Sequence, residues 1–99
     1  MWYVVLARDV PGTLAQRVAT RPAHRERLVA LQDAGRLLLA GPLPGIDAED
    51  PGPAGFVGSL VIVDFPSQAD AQAWAQADPY FTAGVYASVD VLPFLRTFG

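Results

Sequence analysis

The chain has 99 residues, which suffices for one domain (1–99) with a single core. Hydrophobic residues make up 52% and charged residues 17%, the net charge is −3, and every basic residue is an arginine; no basic stripe exists to neutralise phosphates, so nucleic-acid binding is not expected. Cysteine is absent, which removes disulfides, thiolate catalysis and thiolate metal sites, and with neither a signal-peptide pattern nor an apolar run of about 18 residues the chain reads as a soluble, cytoplasmic protein without a membrane partner.

In chain order, Trp2-Tyr3-Val4-Val5-Leu6-Ala7 is a β-rich apolar run that predicts a first strand, broken at Pro11-Gly12. From Thr13 the pattern turns helical, with a loose turn first. Pro22 suits the first turn of a regular helix. His24, Leu28 and Leu31 then share one face and Gly35 is a stop, so the helix is expected near 22–34. Arg36 to Ala40 reads as a second strand ended by Gly41-Pro42. Leu43 to Gly55, rich in Pro and Gly with Asp47, Glu49 and Asp50, reads as a long loop, functional or mobile at that length. Gly58 to Phe65 is the clearest strand. Ser67 with Asp70 resembles a capping box for a helix near 68–77, closed by Asp78-Pro79. Pro79 to Gly84 forms a short turn, and Tyr86 to Phe98 reads as the last strand, with Pro93 marking an edge or a bulge.

The resulting order, βαββαβ, predicts an α+β fold of ferredoxin-like type: a four-stranded antiparallel sheet with two helices on one face. Both side-chain sets of the first strand are apolar, with Trp2, Val4 and Leu6 opposite Tyr3, Val5 and Ala7. A half-solvated strand would alternate with polar residues. The simplest cover for the second face is another copy of the sheet, so a homodimer is expected.

Topology brings the start of the first helix, the end of the second and the long loop to one rim of the sheet. His24 and Asp78 are therefore expected to meet there, beneath the loop, both pointing inward. His24 is the only histidine. It reads either as a core histidine satisfied by backbone or as a proton carrier, whose ordinary pKa of about 6.5 suits work near neutrality. A carboxylate on one ring nitrogen would fix the tautomer and free the other for a proton. Asp78 can be that carboxylate, because a helix C-terminus is a poor place for one without a cationic partner; its plainer reading is a helix-ending Asp-Pro turn. Asp9, after the first strand, is the rival. Ser59 is a strand-start residue or a ligand-binding hydroxyl, and Tyr80 and Phe81 are pocket wall or ordinary core. Metal-ligand spacing is absent, and the glycine-rich stretches lack the pattern of a nucleotide cradle, so no metal or cofactor is expected.

Arg21-Pro22-Ala23-His24, Gly35-Arg36-Leu37-Leu38 through Ala40-Gly41-Pro42, Ala54-Gly55-Phe56 with Gly58-Ser59, Ala73-Trp74-Ala75 with Asp78-Pro79-Tyr80, and Ala83-Gly84-Val85-Tyr86 together closely resemble the bacterial YciI family, colinearly over nearly the whole chain. The resemblance implies a dimeric α/β-barrel type of ferredoxin fold with a pocket centred on a histidine, His24 here, and an aspartate, which carries over to Asp78. Members mostly lack an assigned reaction; one relative removes chloride from a chlorinated hydroxyquinol, and muconolactone isomerases share the fold. Where members often read Lys-Pro-Phe, this chain has Leu92-Pro93-Phe94, so it has no cation at 92 for an anion contact. The expected function is cofactor-independent proton transfer, an elimination or isomerisation of a small cyclic substrate. His24 and Asp78 are its candidate catalytic pair and Gly41, Pro42, Ser59 and Tyr80 its candidate substrate-binding residues. The alternatives are a small-molecule-binding or sensing module and an accessory domain with a vestigial pocket.

Overall fold

In the computed structural model, which describes residues 1–99, the strands β1 (Trp2–Asp9), β2 (Leu37–Pro44), β3 (Phe56–Asp64) and β4 (Tyr86–Phe94) form one antiparallel sheet in the order β2-β3-β1-β4. Helices α1 (Leu14–Asp33), α2 (Gln68–Gln76) and the single turn α3 (Pro79–Thr82) complete the ferredoxin-like α+β fold. No helix is long and apolar enough to cross a membrane.

Register explains which side chains meet the helices. Tyr3 pairs with Val63 and Val5 with both Val61 and Val91, which places these five on one face. They pack with Leu31 of α1 and with Ala71 and Ala75 of α2. Each such branched side chain contributes about 1.5–3 kcal/mol by leaving water. The alanines let α2 lie close to the strands. Val4, Leu6, Leu60, Ile62, Leu39 and Leu92 occupy the other face by the same register. No helix covers them, and Leu39 and Leu92 are exposed.

Four boundaries depart from expectation, the smallest being β3, which begins at Phe56 rather than Gly58. α1 begins at Leu14 and carries Pro22 in its interior. Proline there forgoes one helical hydrogen bond, but the residues on either side hold the helix together. β2 runs on through Gly41-Pro42 to Pro44. It is an edge strand, where a proline's missing N–H faces no partner. β4 ends at Phe94 rather than Phe98. Pro93 lies in β4, the other edge, as expected. The Ser67 cap also forms, its hydroxyl accepting from the Asp70 N–H at 3.1 Å. Gly58 has to be glycine: a Cβ there would run into the Ala7 carbonyl oxygen of β1.

Candidate functional site

α1 buries only Arg17, His24 and Leu31, which recur every seven residues and so share one stripe. Leu31 enters the core; the two polar residues each meet a buried carboxylate. The His24 Nδ1 lies 2.9 Å from both Asp78 oxygens. A carboxylate only accepts, so Nδ1 carries the proton. Asp78 also accepts from the Tyr80 backbone N–H at 2.9 Å and from Arg27 Nη1 at 3.2 Å. Arg27 is itself fixed, donating to the Trp74 carbonyl and lying over the Trp74 ring at 4.6 Å.

The expected route to this pair needs correction. His24 is mid-helix, not in the first turn of α1, so the helix dipole, which acts within the terminal turns, does not bear on it. Asp78 does not end α2 unaided. It is the N-cap of α3, where a carboxylate satisfies backbone donors at the positive end of a helix turn.

Asp9, the rival, is not with His24. Arg17 Nε and Nη2 donate to its two oxygens at 2.7 and 2.9 Å, a bidentate pair, and Nη2 also donates to Ser59 Oγ at 2.9 Å. Burial works against the Arg17 charge, but Asp9 together with the Tyr86 and Tyr80 phenols outweighs it and the guanidinium pKa is raised. The Tyr86 phenol nearby is pushed up by burial, with the Ser59 hydroxyl opposing. Tyr80 ties the two clusters together. Its ring stacks on His24 at 4.1 Å between centroids and lies 4.6 Å from the Arg17 guanidinium carbon.

These groups face a cavity of about 300 Å³ lined by Arg17, Arg21, His24, Arg25 and Leu28 of α1, Ala40, Gly41 and Pro42 of β2, Ser59 and Val61 of β3, and Tyr80. Every fully buried polar side-chain atom has a hydrogen-bond partner. His24 Nε2 has none within the protein, so this nitrogen is solvent-accessible on a residue that lines the cavity. No three His, Cys, Asp or Glu side chains converge as metal ligands.

The cavity thus gathers His24, with Asp78 directly behind it, and all of Gly41, Pro42, Ser59 and Tyr80. Ser59 stands inside β3 rather than at its start. Phe81 is exposed and does not line the cavity, contrary to one expectation. Neither does any residue of the 45–55 loop, which closes on itself through a Gly45 N–H to Gly55 carbonyl bond of 2.8 Å. Arg17, Arg25 and Arg27 carry no expectation in the sequence, and Arg21 enters it only within the Arg21-Pro22-Ala23-His24 motif. The seven-residue spacing of Arg17 and His24 was the available signal, hidden by starting the helix at Pro22.

A YCII-related domain matches residues 1–95. The chain belongs to the YCII-related family. Protein YciI of Escherichia coli O6:H1 is 55% identical over 98 residues, covering 99% of this chain and 100% of that one. An uncharacterized protein of Haemophilus influenzae is 52% identical over the same shares. Among solved structures, 5-chloro-2-hydroxyhydroquinone dehydrochlorinase (TftG) from Burkholderia phenoliruptrix, in complex with 2,5-dihydroxybenzoquinone, aligns with a TM-score of 0.83 and 24% identity, over 96% of this chain and 94% of that one. That likeness extends the YCII-related fold to a protein of distant sequence.

Proposed function

We propose that this YCII-related protein is a cofactor-independent enzyme that moves a proton on a small cyclic substrate, in an elimination or an isomerisation. The observation that carries the reading is the buried contact of His24 Nδ1 with Asp78 at 2.9 Å on a histidine whose Nε2 is free and which lines a cavity of about 300 Å³. In this mechanism Nε2 takes a proton from a substrate carbon or hydroxyl. Asp78 keeps Nδ1 protonated and stabilises the imidazolium that forms. Arg27 and the Tyr80 N–H keep Asp78 in place. In an elimination the electron pair left behind forms a double bond as a leaving group such as chloride departs. In an isomerisation the imidazolium returns the proton to another atom. Gly41, Pro42, Ser59 and the Tyr80 ring bound the substrate.

The assembly is a homodimer in this reading. On the apolar sheet face, Val4 and Leu6 are only partly covered and Leu39 and Leu92 are exposed in one chain, and a second copy would cover them. Light scattering should give twice the chain mass, and Leu92→Arg should shift it towards one.

The reading is tested by incubating the protein in deuterium oxide with small cyclic enolisable and halogenated compounds, 5-chloro-2-hydroxyhydroquinone first because a protein of this fold processes it. Deuterium uptake and chloride release are the readouts. His24→Ala should lower turnover of any reacting compound by about 10²–10⁴-fold. Turnover unchanged in His24→Ala would refute the mechanism. A compound that binds tightly at His24 and returns without deuterium or chloride loss would make the protein a binding module instead.

A further inference from the structure

The cavity wall has a second property that proton transfer does not require. It holds three arginines, one histidine, one serine and one tyrosine, and no carboxylate. Arg17 is committed to Asp9 and Ser59. Arg21 and Arg25 have no ion pair and no hydrogen bond within the protein. Arg27 and Arg36, by contrast, both hold protein acceptors. Arg8 is also unpartnered but stands outside the cavity.

Arg21 and Arg25 are four apart on α1, so they project from one face about 6 Å apart along the axis. Like charges at that spacing repel. The chain as a whole carries ten acids against seven bases, yet none of its acids answers these two cations. The nearby carboxylates, Asp9 and Asp78, lie behind the wall with donors already on them. A solute in the cavity therefore meets two uncompensated positive charges alongside His24.

We propose that the natural ligand is a small carboxylate whose anionic group sits on Arg21 and Arg25. This deepens, and rests on, the reading of this cavity as the substrate site. A guanidinium presents parallel N–H donors that match a carboxylate, and two of them fit that group better than any neutral one. The cavity's 300 Å³ holds one ring and a carboxylate. The same cations offset the negative charge that develops on the substrate when His24 takes its proton.

The test uses the full-length protein and benzoate, with benzamide as its neutral counterpart. His24 is the only histidine, so its ring signals in a proton NMR titration report cavity occupancy without assignment. Benzoate should shift them saturably and bind about tenfold more tightly than benzamide at low salt, with the ratio falling as salt is added. In R21Q/R25Q the preference should vanish while benzamide affinity stays within about twofold. Arg25→Gln alone, at an exposed position, should lose part of it and covers the case in which the double variant is poorly folded. Equal binding of the two probes, no saturation by benzoate, or a preference that survives in the variants would overturn the proposal. The two readings fail separately. Were only the anion site wrong, His24→Ala would still lower turnover by about 10²–10⁴-fold with no preference for benzoate; were only the acid–base pair wrong, the preference would persist and His24→Ala would keep its turnover.

Discussion

Asp9 and Asp78 are equally buried, with side chains 4% and 3% exposed, and both face a cationic or potentially cationic residue of α1. Their partners separate their roles. Asp9 meets a guanidinium, which stays charged at any pH the fold survives, and the bidentate geometry occupies both its oxygens. Asp78 meets an imidazole whose second nitrogen is open and which lines the cavity. One carboxylate closes a structural link between β1, α1 and β3; the other holds an imidazole at the cavity wall. Burial alone does not distinguish these two acids; the access of the partner to the cavity does.

The comparison breaks first at Asp9. Asp9→Ala strands the Arg17 charge in the interior and should cost about 3–5 kcal/mol in urea unfolding. In the molecules that remain folded the hydrogen on His24 should stay on Nδ1, although its ring shifts can move through Tyr80, which touches both clusters. A small stability loss, or a hydrogen moved to Nε2, would mean that the two acids do not have separate roles. Asp78→Asn is the next largest. It keeps the shape of the cap but removes the charge, so stability should fall by about 1–3 kcal/mol, while turnover of any accepted substrate should fall by about 10²–10⁴-fold. Asp9→Asn should reverse that ranking, losing more stability than turnover per folded molecule.

How far the sequence exposed this contrast depends on the residue. β1 and β3 were legible from their apolar runs, the α1 stop from Gly35 and the α2 start from Ser67. The meeting of Asp78 with His24 was legible from topology, but not its reason: Asp78 caps the start of α3 rather than standing at an unfavourable helix end. Pro22 misled the reading because proline favours a helix's first turn, whereas this helix tolerates it inside. With residues 14–21 read as a loose turn, Arg17 could not be aligned with His24, and Asp9 was left without its true partner. Gly41-Pro42 looked like a strand end; only the strand order, set by tertiary pairing, makes that proline acceptable within β2.

The smallest expected effect sharpens the structural half of the comparison. Burial raises the Tyr86 phenol above its ordinary value. An acid whose folded-state pKa exceeds its unfolded one keeps its proton in the folded chain where the unfolded chain has released it. Its contribution is therefore full below about pH 10 and is lost as pH rises beyond. Unfolding free energy should fall by about 1 kcal/mol between pH 10 and pH 11 from this group. Tyr86→Phe should flatten that leg in chemical denaturation.

The proton on His24 is the quantity on which the functional account turns, and a single-histidine chain allows it to be read directly by long-range proton–nitrogen NMR of the imidazole. With the ring neutral, Nδ1 should carry the hydrogen, held by Asp78, and Nε2 should show the signature of a bare lone pair; in Asp78→Asn that preference should weaken. A hydrogen on Nε2 with Nδ1 bare, unmoved by the Asp78 substitution, would contradict the account.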